Sequence, residues 1–205
     1  LIGKQQIYWN LEYKHRGKLW RGASKERGLV ESAMEKGLTL DNGCGNGKES
    51  PRGDGTVGVD FSIFALRSYP NRNKVLANMA SLPFRDESFE NVLFFHSLDH
   101  LVETQREMAI AEGARVLKKG GKMFIKVFSR NDFRSNKGNQ IEEGTYLRGN
   151  NIITHYFAEN EFRDIVGLKV VNFIKINYHI NIKNVKKGRE EYIIILIKCK
   201  SENSQ

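Results

Sequence analysis

Cysteine is scarce in this chain: two residues in 205, Cys44 inside a glycine-rich turn and Cys199 near the end. That excludes a disulfide framework and a cysteine-built metal cluster, and no metal site is expected. Long apolar runs are also lacking. None approaches the roughly 20 residues that a helix needs to cross a bilayer, and the opening residues, with Lys4, Glu12 and Lys14, do not read as a signal peptide. A reducing cytoplasm is the expected compartment. Internal repeats and low-complexity linkers are absent, so one domain over 1–205 is expected. Acidic side chains are outnumbered, 24 against 33 basic, for a net charge of +9. The bases gather at Lys14, Arg16, Lys18, Arg21, Lys25 and Arg27, and again at Lys183, Lys186, Lys187 and Arg189. The two groups read either as a track for a nucleic-acid backbone, if they share a face, or as a solvated surface.

Against these absences stands a regular alternation. Short apolar runs recur at 38–41, 56–60, 74–77, 90–95, 121–128, 168–178 and 190–199, with helix-like stretches at 62–68, 103–117 and 158–166. Alternation of this kind predicts an α/β domain with a parallel sheet covered on both faces. Only a polar loop, Asn181 to Gly188, joins the last two runs, which is too short for a crossover, so they should pair antiparallel. The expected fold is a Rossmann-like seven-stranded sheet of six parallel strands and one antiparallel, with helices on both faces. Residues 24–36 predict a helix with Leu29, Val30, Ala33 and Met34 on one face, Ser24 as cap and Gly37 as stop. Residues 1–36 would form an N-terminal helical cap. The polar segment Ser129–Asn151 is the least regular, and reads as a substrate lid after the fifth strand or as a surface insert.

The chemistry concentrates in Leu38–Gly47, LTLDNGCGNG, and in the run TVGVD that ends at Asp60. Glycines at 43, 45 and 47 allow a sharp bend and close backbone approach to a ligand. An acid ending the following strand suits ribose hydroxyls. The third glycine comes one residue too early for a dinucleotide fingerprint, no Walker pattern is present, and Asp41 beside the turn would repel a pyrophosphate. A ligand with an ammonium and a sulfonium and no phosphate suits that carboxylate, which points to S-adenosylmethionine.

Four blocks now resemble the class I S-adenosylmethionine-dependent methyltransferases: LTLDNGCGNG, TVGVDFS, LANMASLPFRDESFENVLFFHSLDHL and AEGARVLKKGGKMFI, between about Leu38 and Ile125. The resemblance implies that Asp41, Gly43, Cys44, Gly45 and Gly47 form the methionine-binding turn, that Asp60 meets the ribose, and that Phe61 and Met79 sandwich the adenine. Asn78 stands where that family usually carries Asp, and its amide oxygen can still accept from the adenine amino group. Glu90 replaces a more usual Asp, and Asn42 stands where the family tends to be apolar. GCGNGK with a short connection to the second strand, His100 after the fourth, and HYF…NEF at 155–162 are also similar to methyltransferases of the tRNA wobble-uridine carboxymethyl-ester family. That resemblance permits a small zinc-binding activator protein as partner.

Transfer from a sulfonium is an in-line displacement, so the protein must align the acceptor and exclude water, with a base only where the acceptor loses a proton. His96, at the end of the fourth strand, is the first candidate for the methyl site, and for cofactor contact, with His100 next. Both are catalytic candidates. His155 and Tyr156 are expected to reach the cleft from the far side. Arg130, Arg134 and Arg148 are handles for an anionic acceptor. Tyr8, Trp9 and Trp20 either cover the ligand or anchor the first helix. Three functions stay open: methyl transfer to tRNA, methyl transfer to a small molecule, and a catalytically silent cofactor-binding scaffold.

Overall fold

A computed structural model describes residues 2–19, 26–163, 165 and 167–199. In chain order these residues form helices α1 (Gln5–Arg16) and α2 (Arg27–Ala33), strands β1 (Thr39–Asn42) and β2 (Thr56–Asp60), helix α3 (Ile63–Arg67), and strands β3 (Lys74–Leu76) and β4 (Phe89–Phe95). Helix α4 (Glu103–Val116) and strand β5 (Leu117–Phe128) follow, then β6 (Asn139–Glu142), β7 (Thr145–Leu147), β8 (Ile153–His155), β9 (Leu168–Ile182) and β10 (Val185–Lys198). The seven-stranded sheet runs β3-β2-β1-β4-β5-β10-β9. Strands β1 to β5 pair in parallel, β10 is antiparallel to β5, and β9 is antiparallel to β10. Strand β9 therefore runs with the first five, and the expected six parallel strands and one antiparallel are present.

The period of two along each strand sorts side chains to opposite faces. Val92 and Phe94 of β4, with Met123 and Ile125 of β5, pack on Ala109 and Val116 of α4. The alternate residues Leu93 and Phe124 pack on Val30 of α2, so helices cover both faces. No helix among the described residues is long and apolar enough to cross a membrane.

Several local expectations differ from the structure. Helix α2 covers only 27–33, and Leu29 is exposed. Ser24, Trp20, Arg21 and Lys25 lie outside the described residues. The helix ends early for a tertiary reason: the buried Asn91 amide accepts from the Glu35 N–H at 2.9 Å and donates to the Glu35 carbonyl at 2.8 Å, drawing the chain out of the helix toward β1. Among the described residues of 158–166 there is a 3₁₀ turn, Glu159–Phe162, in place of the expected helix. The segment 129–151 is not simply irregular, because β6 and β7 within it pair antiparallel, and with β8 they make a second, three-stranded sheet.

Candidate cofactor crevice

At the carboxyl end of β1 the chain turns back over β2. Gly43 and Cys44 both donate to the Val59 carbonyl, at 2.8 and 2.9 Å. Gly43 and Gly45 have φ of 78° and 54°, a region that costs any residue with a Cβ. A Cβ on Gly45 would also stand 2.5 Å from the Tyr13 hydroxyl, and one on Gly43 would stand 2.4 Å from Ser97 Cβ. The turn is thus squeezed between α1 and the end of β4. Asp60 holds it from below, accepting from the Gly45 N–H and the Ser62 N–H, both at 2.8 Å.

A crevice of about 1420 Å³ opens over this turn, larger than the roughly 300–1,000 Å³ common for one small ligand. Asp41, Gly43, Cys44, Gly45, Asp60, Phe61, Asn78, Met79 and His96 all line it, as does His100. Gly47 does not: a Cβ there would meet Pro70 and Tyr69, so its glycine serves packing behind the turn. The Asn78 oxygen is engaged by the Ala80 N–H at 2.9 Å, which leaves the amide NH₂, a donor, as the wholly free end.

The acids at the head of the crevice are uncomfortable when alone. Burial raises the Asp41 pKa to about 7, against a hydrogen bond from Ser50, and the Asp60 and Glu49 charges add to the rise. Burial likewise raises Asp60 to about 6, against its backbone N–H partners. A cation placed here would relieve both. The buried Ser97 hydroxyl, beside Gly43, has no hydrogen-bond partner among the described residues. A compact ligand bearing an ammonium and a sulfonium fits this combination: paired acids, an open glycine backbone and an unspent hydroxyl.

The two histidines differ in chemistry. His96, at φ 52°, stacks on Phe128 with ring centroids 4.2 Å apart. Its Nδ1 lies 3.3 Å from Asp99 and its Nε2 3.4 Å from Glu191. Burial opposes its charge, but the two carboxylates outweigh burial and raise its pKa to about 9. With its pKa raised that far, the ring carries a positive charge at neutral pH, matched to the two carboxylates. His100 is the reverse case. Its Nδ1 lies 2.8 Å from the Ile153 carbonyl, which can only accept, so Nδ1 carries the hydrogen and Nε2 keeps its lone pair. Burial lowers its pKa, and His96 and Arg134 add to the fall.

The far end of the crevice is lined by Phe128, Arg134, Arg148, Tyr156, Tyr178 and Arg189. Arg134 lies over the Phe128 ring at 4.0 Å and pairs with Asp132 at 2.8 Å. Arg148 donates to the Tyr156 hydroxyl at 2.9 Å. Arg130 and His155 do not line the crevice. Arg130 pairs with Glu143 at 2.7 Å, and His155 is buried between Thr145 (2.7 Å) and Glu161 (2.8 Å). Trp9 does line it, its ring edge-on to His100 at 4.7 Å, whereas Tyr8 packs with the helix cluster.

Sequence reasoning missed the floor. Lys126, 4% exposed, lies 3.1 Å from Glu26 and from Glu49 and 3.5 Å from Glu191. Glu191 also meets Arg189 at 3.0 Å and the Tyr178 hydroxyl at 2.7 Å. Burial works against the Glu191 charge, but His96, Lys126 and Tyr178 hold its carboxyl well below the usual range. The available signal was a lysine inside the apolar strand MFIKVF and a glutamate opening EYIIILI. Tyr13 gave no such signal.

The seven-stranded sheet with its crevice at the carboxyl edge is the fold seen in solved S-adenosylmethionine-dependent methyltransferases, to which the chain is similar. Residues 40–125 match the family described as a methyltransferase domain. The chain is 34% identical over 116 residues to the demethylmenaquinone methyltransferase of Corynebacterium urealyticum, covering 55% of this chain and 49% of that protein. It is 32% identical over 110 residues to the tRNA (carboxymethyluridine(34)-5-O)-methyltransferase of Arabidopsis thaliana, covering 51% of this chain and 27% of that one. The chain thus spans about half the length of the first relative and about a quarter of the second. Among solved structures it is similar to the Burkholderia thailandensis 1,6-didemethyltoxoflavin-N1-methyltransferase with bound S-adenosylhomocysteine, with a TM-score of 0.67 and 14% identity over 98% of this chain and 91% of that one.

Proposed function

We propose that this chain transfers a methyl group from S-adenosylmethionine to an RNA acceptor, transfer RNA first. The observation that carries the reading is the two-ended crevice: paired acids and a glycine turn at one end, aromatic rings interleaved with Arg134, Arg148 and Arg189 at the other. Flat bases stack on such rings and anionic groups pair with such guanidinium groups. The Arabidopsis relative, named for a tRNA activity, supports the same acceptor class.

In this reading Asp41 and the Ser97 hydroxyl would hold the amino-acid end of the cofactor, and Asp60 would accept from the ribose hydroxyls. Phe61 and Met79 would flank the adenine, with Asn78 donating toward it. The cofactor supplies the activated methyl group, and the chain's residues align the acceptor and keep water out. His100 Nε2 would take a proton from a hydroxyl or amine acceptor, while a carboxylate acceptor would need no base. The His96 cation would hold Asp99 and Glu191 in place beneath the acceptor. A small zinc-binding partner protein belongs to the same proposal as an optional activator.

The test is transfer of radiolabelled methyl to total tRNA lacking its native methylation, with and without such an activator, beside calorimetric binding of the cofactor. Label in tRNA that fades with added salt is the expected result. Label only in small molecules would favour the reading that the demethylmenaquinone relative supports. Cofactor binding with no label in either pool would leave the silent scaffold, which the changed Asn78 position favours.

A further inference from the structure

Strands β9 and β10 outlast the sheet to which they belong. Strand β10 pairs with β5 only from Glu191 to Ile197, whereas its pairing with β9 continues to Val185. Glu191 lies opposite Phe128, the last residue of β5. Residues 177–190 therefore leave the sheet at its carboxyl edge, the edge where the crevice opens, as a two-stranded ribbon. Its tip is a two-residue turn, Lys183–Asn184, with φ of 48° and 63° between the paired Ile182 and Val185. Two left-handed residues make a type I′ turn, whose twist matches that of the strands. The ribbon is a shaped arm and not a slack loop.

Its side chains sort by the period of two. The face toward the crevice carries Ile176, Tyr178 and Ile180, opposite Glu191, Arg189 and Lys187. The first residues of both rows, Ile176, Tyr178, Arg189 and Glu191, already line the crevice. From Ile176 to Arg189 the sequence holds four lysines and arginines and no aspartate or glutamate. Lys183 and Lys186 are exposed and Lys187 half-buried, and among the described residues none of the three forms an ion pair. A short two-stranded ribbon is marginal in water on its own, and this one leaves Ile182 40% and Val185 49% exposed.

We propose that this ribbon is an RNA-docking arm, an inference that rests on the RNA reading above. A single strand entering the crevice would lay a base flanking the acceptor against Tyr178 and Ile180. Its phosphates would run outward past Lys187 to Lys183 at the tip, with the long Lys186 side chain reaching round from the reverse face. Stacking plus backbone neutralisation is the usual physics of single-strand binding. An anionic membrane would suit lysines beside Ile182 and Val185, but the cationic row does not stay at the tip. On the face toward the crevice it runs inward from Lys187 to Arg189 at the crevice wall, where Asp132 and Glu191 hold the guanidinium in place, as a strand threading into a site requires.

The test replaces Lys183, Lys186 and Lys187 by glutamine in the full chain, which removes the charges and keeps most of each stem. Binding of undermethylated tRNA is followed by fluorescence anisotropy across a salt series, with calorimetric binding of S-adenosylhomocysteine as control. The expected result is unchanged S-adenosylhomocysteine binding, a tRNA affinity at least about tenfold weaker, and a log–log salt slope smaller by about 2, the value for three single-strand phosphate contacts. If the native chain labels and binds tRNA while the triple variant keeps its affinity and slope, the arm is refuted and the RNA reading stands. If the native chain binds phosphatidylserine vesicles through these lysines and does not bind tRNA, both are refuted.

Discussion

Asp41 is buried beside Asp60 and Glu49, and its pKa of about 7 means that the ligand-free crevice holds a proton at the place where a cation should sit. Binding a sulfonium and an ammonium requires that proton to leave. Affinity for S-adenosylmethionine should therefore rise with pH up to about 7, by up to about tenfold per pH unit. Calorimetry across that range checks it, and Asp41→Asn should bind weakly at every pH with the slope gone. The same group has the opposite effect on stability of the free chain. Its folded pKa is raised, so the native state keeps a proton that the unfolded state loses first. Its contribution is present in acid and lost as pH climbs from the ordinary carboxylate range through about 7. Asn42 poses a different residue-scale problem. It is fully buried, with neither amide atom hydrogen-bonded among the described residues, and nothing in the structure explains it. Removing an unsatisfied buried amide should help, so Asn42→Leu is expected to raise stability by about 1–3 kcal/mol in urea denaturation.

Lys126 acts at the scale of elements. It projects from β5 and gathers Glu26 from just before α2, Glu49 from the loop after the glycine turn, and Glu191 from β10. The connection of residues 48–55 has no helix of its own to anchor it, so Glu49 ties it to β5 as Ser50 ties it to Asp41 of β1. Lys126→Met would keep the volume of the stem and leave buried carboxylates without their cation. The expected loss is about 3–5 kcal/mol, read from the urea midpoint. Recovery of part of that loss in Lys126→Met with Glu49→Gln would separate an electrostatic cause from a packing one. The Asn91 clamp on Glu35 works in the same way, ending α2 by a contact that no property of residues 27–36 could foretell.

For the whole molecule, the crevice draws its walls from α1, the glycine turn, the ends of β2, β4 and β5, the segment around β8 and the β9–β10 ribbon. A ligand that fills it bridges both ends of the chain. S-adenosylhomocysteine at about 100 times its dissociation constant should stabilise the folded state by about 2.7 kcal/mol, measured as a shift in denaturation midpoint. No shift at saturating ligand would remove the assignment of the crevice. The two basic clusters also meet at this scale, since Arg16 and Arg189 line the same opening.

The sequence by itself determined the sheet, the reversed last strand, the glycine turn and the paired acids. Each of these rests on a local rule: side chains alternate along a strand, a short loop cannot make a crossover, and a left-handed turn needs glycine. Only the tertiary structure decided how the two histidines differ in charge. His96 and His100 are neighbours in the chain, yet one is clamped between Asp99 and Glu191 and the other is turned onto the Ile153 carbonyl. A pKa is set by burial and by charges brought from distant segments, and no window of sequence contains them. The same holds for Lys126, Tyr13 and Arg189, whose place in the crevice exists only once β5, α1 and β10 have been packed together.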